Sequence, residues 1–535
     1  MRLFGKNLFL LIFTGLLFAL TLAGCNLYKM PEETEGTSEL PANSIADTRE
    51  EAYKKNRDGK FTVNFNSSHS LNPLLCSDTI NMPLTGLLFE GLFKVDERFN
   101  FLPVLCEKWN TRDGISYTFQ INNQVKFHDG SQLTVGDVMY SLNLARQSEL
   151  YSGRLKFIES AYTDDDTLYI SLDEPNMRFP ALLDFPIMKY GTGDKRIPLG
   201  TGPYMYAETS EYKYLEAFDG YRDRHLLPID RFYLQEYSAD DLIWAFESGN
   251  IDLVITNKNE MGYVDFSEDY EKRDIDTTEM HFIGFNEYSG FCASATRRLI
   301  ISSIIDREYL TTNIMTASTP VVLPFSPASS YYLQDIAENT LIEKDEIKSY
   351  MLNAFVDDYD GDGVLEFIRE NEVRDFTLDF IVNKENLKKV AAARYIADCL
   401  REYGFDVSLR LLGWNEYMYA LENGIFDIYY GEVKITQDFD LSELLSTSGE
   451  LNFGIYDPEM DRLIYEFNKA RNKGKPARTL LTYIAGNTHI APLYFEKKSV
   501  FTHRGVISNM QPTQNNIFNN ITEWEIDMGK NEAIY

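Results

Sequence analysis

Cysteine is scarce in this chain of 535 residues. There are five, Cys25, Cys76, Cys106, Cys292 and Cys399, far apart and never in CxxC spacing. That argues against a zinc site and against a disulfide scaffold. Two readings stay open for the last four, a single Cys76–Cys106 bridge or buried free thiols, and the second is the plainer. Histidine is nearly as rare. Only His69, His128, His225, His281, His489 and His503 occur, none at i,i+4 spacing, so a histidine-rich metal site is poorly supported. The chain has no G-x-S-x-G or H-E-x-x-H motif, and a hydrolase would have to assemble nucleophile and base from distant segments. Basic charge is short as well, with 51 Lys and Arg against 82 Asp and Glu and a formal net charge of −31. Nucleic acid needs a basic footprint, and this composition excludes it as a partner.

Long apolar runs are confined to the start. Arg2 and Lys6 precede an apolar stretch over 8–23, broken only by Thr14, Gly15 and Thr21. It has the length of a secretory h-region and falls short of the ~20 residues that a membrane span needs. It ends in "LTLAGC", small residues before Cys25, which resembles the bacterial lipobox. The resemblance implies removal of a signal peptide, 1–24, and a lipid on Cys25 that ties the protein to the membrane on its extracytoplasmic side. The alternative is an uncleaved anchor, and both readings place the rest outside the cytoplasm. Residues 25–55, rich in Glu, Pro, Ser, Asn and Lys, read as a solvated tether. What remains is long enough for about three domains at ~150 residues each.

The clearest architecture lies between 376 and 432. "FTLDFIV" alternates as a strand, 387–403 carries Ala392, Ile396, Cys399, Leu400 and Tyr403 at helical spacing, and Gly404 stops it. "DVSLRLL" alternates again, a second helix covers 416–423 up to Gly424, and "FDIYYG" is the next strand. Two βαβ units imply a parallel sheet. An echo precedes it: "AFESGNIDLVIT" (245–256) has the design of "ALENGIFDIYYG" (420–431), with Asp252 and Asp427 in the same place. Two α/β lobes built alike follow from this. From Asn72 to about Pro186 the pattern differs, with "YTFQI", "VKF" and "DTLYISL" as short strands of a smaller α+β domain, and chain order suggests insertion of one domain inside another.

The stretch "KFHDGSQLTVGDVMYSL" (126–142) places His128, Asp129 and Gly130 side by side, which could open a catalytic or metal site. Thr134 and Asp137 fit a capping box before apolar residues at helical spacing, Val138, Met139, Leu142 and Ala145. "HDGS" is then a turn ahead of a helix. No second histidine or nucleophile lies nearby, and a catalytic dyad is not the reading.

"LPVLCEKWNTRDGISYTFQINNQVKFHDGSQLTVGDVMYSL" resembles the signature of the family 5 extracellular solute-binding proteins, the oligopeptide- and dipeptide-binding proteins of ABC importers. Pro103, Glu107, Trp109, Gly114, Phe127, His128, Asp129, Gly130, Thr134, Asp137 and Val138 carry the match. "LNPLL" (71–75), "LLFEGLFKVD" (87–96), "IPLGTGPYMY" (197–206), "RRLIISSIIDREYL" (297–310) and "IAPLYF" (490–495) follow in the family's order. The resemblance implies an α/β fold of the two-lobe periplasmic-binding-protein type (type II, cluster C) with an additional inserted α+β domain. On that plan lobe I takes 56–75, 190–275 and 495–535, the inserted domain 76–189, and lobe II 276–494. It also implies capture of a peptide or other small solute by a monomer without cofactor or reaction, and delivery to an ABC permease in the membrane. Relatives of the same fold bind oligosaccharides or nickel complexes, and 34 Tyr and 35 Phe would suit sugar stacking. A sensor lipoprotein that does not transport is a further alternative.

Ligands of open α/β sheets lie off the carboxyl ends of the strands. The loops after 256, 382 and 430 therefore point to the cleft. Trp414 lines up with a tryptophan of peptide-binding relatives, against the alternative of an aromatic packed at a helix start. After Tyr430 those relatives place Gly-Trp and then an aspartate for the ligand's ammonium; here Glu432 and Ile435 stand instead. Glu432, Asp438 or Asp440 is the candidate for the amine and Lys434 for a carboxylate, with a solvated loop as the alternative. "DYDGDGVLE" (358–366) resembles the first half of an EF-hand calcium loop through Asp358, Asp360, Asp362 and Gly363, but its twelfth position is Arg369 where a glutamate is expected. A calcium site or a polar Asp/Gly loop are the two readings.

Overall fold

The computed structural model describes residues 59–76, 78–256 and 270–527. The signal peptide, Cys25 and the tether lie outside the described residues, as does most of the loop after 256. Among the described residues no helix is long and apolar enough to cross a membrane.

One sheet runs through the molecule. From one edge its order is Val407–Leu412, Leu378–Asn383, Ile428–Lys434, Tyr270–Phe285, Ile490–His503, Leu253–Thr256, Phe61–Asn64, Arg231–Gln235, Lys213–Ala217 and Tyr204–Glu208. At one end Leu378–Asn383 pairs parallel with both neighbours, as the βαβ pattern requires, through helices Leu387–Glu402 and Trp414–Glu422. Phe61–Asn64 does the same at the other end. Leu378, Phe380 and Val382 enter one apolar cluster and Ile381 another, so this strand is covered on both faces, as parallel sheets are.

The echo in sequence is an echo in hydrogen bonding. Asp252, one residue before its strand, accepts from the Thr62 N–H at 2.6 Å and returns its own N–H to the Thr62 carbonyl at 2.8 Å. Asp427, also one residue before its strand, accepts from the Asp379 N–H at 2.8 Å and returns its N–H to the Asp379 carbonyl at 2.9 Å. In each lobe an aspartate hooks the start of one parallel strand to its neighbour.

Two long antiparallel strands join the lobes. Tyr270–Phe285 carries the chain out and Ile490–His503 brings it back. Their register breaks between Asp276 and Met280, a bulge that bends the ribbon. There the Thr277 hydroxyl donates to the Glu496 carbonyl at 2.6 Å and the Thr278 N–H to Gln514 Oε1 at 2.9 Å.

A four-stranded antiparallel sheet, Cys106–Thr111, Ser116–Ile121, Thr167–Leu172 and Ile158–Asp164, makes the smaller mixed region with helix Val135–Ala145. "VKF" is not one of its strands and makes only an isolated bridge, Lys126 to Gln132. The reason is local. Ser116–Ile121 already has a strand on each side, and the next turn folds 125–133 back on itself, with the Phe127 N–H bonded to the Ser131 carbonyl at 2.8 Å. Gly130 takes a φ of +82° in that turn. The capping box forms as expected, Thr134 N–H to Asp137 Oδ2 at 2.9 Å and Asp137 N–H to the Thr134 hydroxyl at 3.4 Å. His128 is folded into the turn, Nε2 3.2 Å from the Gly202 carbonyl and its ring edge-on to Phe218. Burial pushes its pKa down to about 4, so the imidazole is neutral at pH 7. Cys76, Cys106, Cys292 and Cys399 are all free thiols.

Candidate functional site at the lobe junction

The strand predicted to end at Gly431 runs on to Lys434, so Glu432 lies within it and not beyond its end. The extension exists because Tyr270–Phe285 offers a partner that far, pairing Glu432 with His281 and Lys434 with Glu279. Alternate residues share a face. Tyr430, Glu432 and Lys434 therefore form one row, buried at Tyr430 and emerging into solvent towards Lys434.

This row and the joining strands make a ladder of mixed charge. Lys389, from the first turn of helix Leu387–Glu402, pairs with Glu432. Lys434 and Lys498 share Glu279, at 3.9 and 3.3 Å. Behind them His281 is fully buried, with Nε2 3.0 Å from Glu496 Oε1 and Nδ1 3.1 Å from the Tyr430 hydroxyl. That hydroxyl is 2.6 Å from the one on Tyr494, whose ring stacks on the imidazole. Burial pushes the pKa values of His281 and Lys389 down, the carboxylates nearby opposing it. The surface is thus a rigid aromatic and imidazole floor under partly desolvated ammonium and carboxylate groups.

Trp414 opens the next helix over, 54% exposed, its backbone N–H donating to Glu385 Oε1 at 3.2 Å. It is not packed in the core, and its indole is available at the strand ends. Asp438 and Asp440 lie apart from the ladder and are already satisfied by the protein. Asp438 is buried and accepts from Asn176 Nδ2 at 2.6 Å. Asp440 accepts from Asn468 Nδ2 at 2.8 Å and the Ser442 N–H at 2.9 Å, and burial with the adjacent Asp438 raises its pKa. Both belong to the contact between the second lobe and the inserted domain. There buried Arg178 donates to the Phe99 carbonyl at 2.6 Å and the Gln437 carbonyl at 2.9 Å, and the Phe99 ring meets Phe439 edge-on. Sequence reasoning missed Asn176 and Arg178, which no local pattern connects to residues some 260 positions away.

A cavity of about 170 Å³ opens at this junction, lined by Val95, Phe99, Asp276, Gln437, Gln514 and Asn515. That is below the roughly 300 Å³ at which small-molecule pockets begin. A larger cavity, about 930 Å³, lies on the first-lobe edge between Phe61, His128, Phe218 and Arg231. It is open and faces away from the strand ends, and topology favours the ladder. Asp358, Asp360, Asp362 and Glu366 come together in the acidic loop, each offering an oxygen within 4.8 Å of the others, and the three aspartates accept backbone N–H bonds of that loop, as a polar Asp/Gly turn does.

The family profile of the bacterial extracellular solute-binding proteins, family 5 Middle, matches residues 100–449. The oligopeptide-binding protein AppA of Bacillus subtilis is 24% identical over 401 residues, 70% of this chain and 73% of that protein. The glutathione-binding protein GsiB of Pectobacterium atrosepticum is 28% identical over 177 residues, with 30% of this chain and 34% of that protein covered. Among solved structures, AppA of B. subtilis in complex with a nonapeptide superposes with a TM-score of 0.59 at 20% identity, covering 88% of this chain and 99% of that one. A nickel ABC transporter protein of Bacillus halodurans gives 0.69 at 20% identity, covering 86% and 98%.

Proposed function

The chain belongs to the bacterial extracellular solute-binding proteins, family 5, and we propose that within this family it captures short peptides between its lobes. In this reading a lipid on Cys25 holds it at the membrane, and it hands its solute to an ABC permease. One observation supports peptide over sugar: the mixed-charge ladder of Lys389, Glu432, Lys434, Glu279 and Lys498 at the strand ends. A peptide brings an ammonium, a carboxylate and backbone amides, and can exchange partners with such a ladder as water leaves. A neutral oligosaccharide would leave those charges to pair only with one another.

Glu432 is the group we assign to the solute's ammonium, with Lys389 as the cation it gives up. Trp414 supplies an exposed flat face beside it. Calorimetry with a peptide pool and an oligosaccharide pool tests the reading. Glu432→Gln should weaken peptide binding about tenfold, roughly 1.4 kcal/mol, and weaken N-acetyl peptides less. Saturable binding of sugar with no binding of peptide would overturn the peptide reading.

A further inference from the structure

We propose, on the reading of Glu432 as the partner of the solute's ammonium, that His281 decides whether the site accepts a solute carrying one. A proton added to its imidazole puts a fixed cation beside the carboxylate that the ammonium needs. His281 is fully buried in the strand Tyr270–Phe285. Its Nε2 is 3.0 Å from Glu496 Oε1 and 3.8 Å from Glu432 Oε2, with no straight hydrogen bond to either. The charged groups that face it come from every neighbouring element. They are Glu432 from one strand, Glu496 from the other, Lys389 from the helix Leu387–Glu402, and Glu279 from its own strand.

The surroundings serve either protonation state. A bare lone pair on Nε2 would confront two carboxylates, so the neutral ring carries its hydrogen there. Nδ1 is then the acceptor, 3.1 Å from the Tyr430 hydroxyl, which lies 2.6 Å from the Tyr494 hydroxyl. Hydroxyl hydrogens rotate to suit their partners. Tyr430 donates to Nδ1 of the neutral ring and, turned round, accepts from Nδ1–H of the imidazolium and donates to Tyr494. Burial, aided by the Lys389 ammonium, holds the pKa below the ordinary histidine value, while Glu496 and Glu279 oppose the shift. The ring is neutral at pH 7 and takes its second proton in acid.

With the ring neutral, Lys389, Lys434 and Lys498 match Glu279, Glu432 and Glu496 in charge, and a zwitterionic peptide leaves that match intact. A proton on His281 adds the same positive charge, next to the same carboxylate, that an ammonium brings. The two compete. Repulsion between such cations, weakened by the protein's effective dielectric, should lower peptide affinity about tenfold. The coupling is reciprocal, so a bound ammonium must in turn make the ring harder to protonate. An N-acetyl peptide brings no ammonium and escapes the competition.

Calorimetry on the whole protein, with a tripeptide pool and the same pool N-acetylated, tests this at pH 7.5 and pH 5.0. The wild type should lose about tenfold in affinity for free peptides in acid, and much less for acetylated ones. His281→Gln cannot take the proton, and its two affinities should agree within about threefold. Lys389→Gln relieves the ring of a neighbouring cation and should start the fall at a higher pH. Imidazole NMR of the wild type should show an Nε2–H tautomer at pH 7.5, and peptide should move the His281 titration to lower pH. Wild-type peptide affinity equal at the two pH values would overturn the proposal, as would an equal fall in His281→Gln. An Nδ1–H tautomer would overturn it even if His281→Gln does not fold. Absence of peptide binding at pH 7.5 would instead refute the peptide reading itself.

Discussion

Removing the aspartate hook from either lobe should cost stability without touching solute affinity. In Asp252→Ala the N–H of Thr62 loses the buried carboxylate that accepts from it at 2.6 Å. Hydrogen bonds to charged groups contribute about 1.5–3 kcal/mol, and an unpaired buried N–H costs a similar amount, so a loss of about 2–3 kcal/mol is expected. Asp427→Ala frees the Asp379 N–H, bonded at 2.8 Å, and the Ser289 hydroxyl besides. Its cost should equal or exceed the first. Asparagine at either position keeps an acceptor oxygen and should cost about 1 kcal/mol. At about 2–4 °C per kcal/mol, the alanine variants should lose about 4–12 °C in Tm by calorimetry. Urea titrations should move the midpoint at unchanged m. Both hooks sit before the strands begin, at the end away from the charge ladder, so affinity should stay within a factor of two. A change below about 0.5 kcal/mol in both variants would refute the reasoning. A large loss in one lobe with none in the other would refute the shared design.

Thr134→Ala should cost about 1 kcal/mol, the size of a lost N-cap, whereas His128→Ala should leave solute affinity within a few-fold. A hundredfold loss in the histidine variant would return that turn to functional status. His128 also predicts a pH dependence. Its folded pKa, about 4, lies below the unfolded value near 6.5, so the unfolded chain binds the extra proton first. Stability should be complete above pH 6.5 and fall as the pH drops towards 4, by about 3 kcal/mol from this group. His128→Gln should flatten that part of the profile, and an unaltered profile would show the ring to be solvated. Cys25→Ala should leave an unprocessed precursor or release the protein from the membrane; acylation like the wild type would refute the anchor.

The parallel units of the second lobe were legible because their strands and helices alternate at clean periods of two and 3.6, with Gly404 and Gly424 as stops. The capping box at Thr134 was legible because both halves lie within four residues. The strand past Gly431 was not, since its exposed row carries Glu432 and Lys434 where an apolar row would have marked it. The alternation with Val433 and Ile435 was the available signal. Glu366 escaped because an EF-hand template looks for its glutamate at the twelfth position, and only the hairpin brings it back to the aspartates. Asp438 looked free for a ligand because nothing local discloses Asn176; such a partner follows from tertiary contact alone. The joining strands Tyr270–Phe285 and Ile490–His503 mix charged and apolar residues without a single period, since each changes neighbours along its length.

The most direct test is mass spectrometry of the solute released on denaturing the protein purified from its natural host. The account predicts short peptides at near-stoichiometric yield, with fewer of them carried by Glu432→Gln. Recovery of an oligosaccharide or a metal chelate in place of peptide, at similar yield, would contradict it.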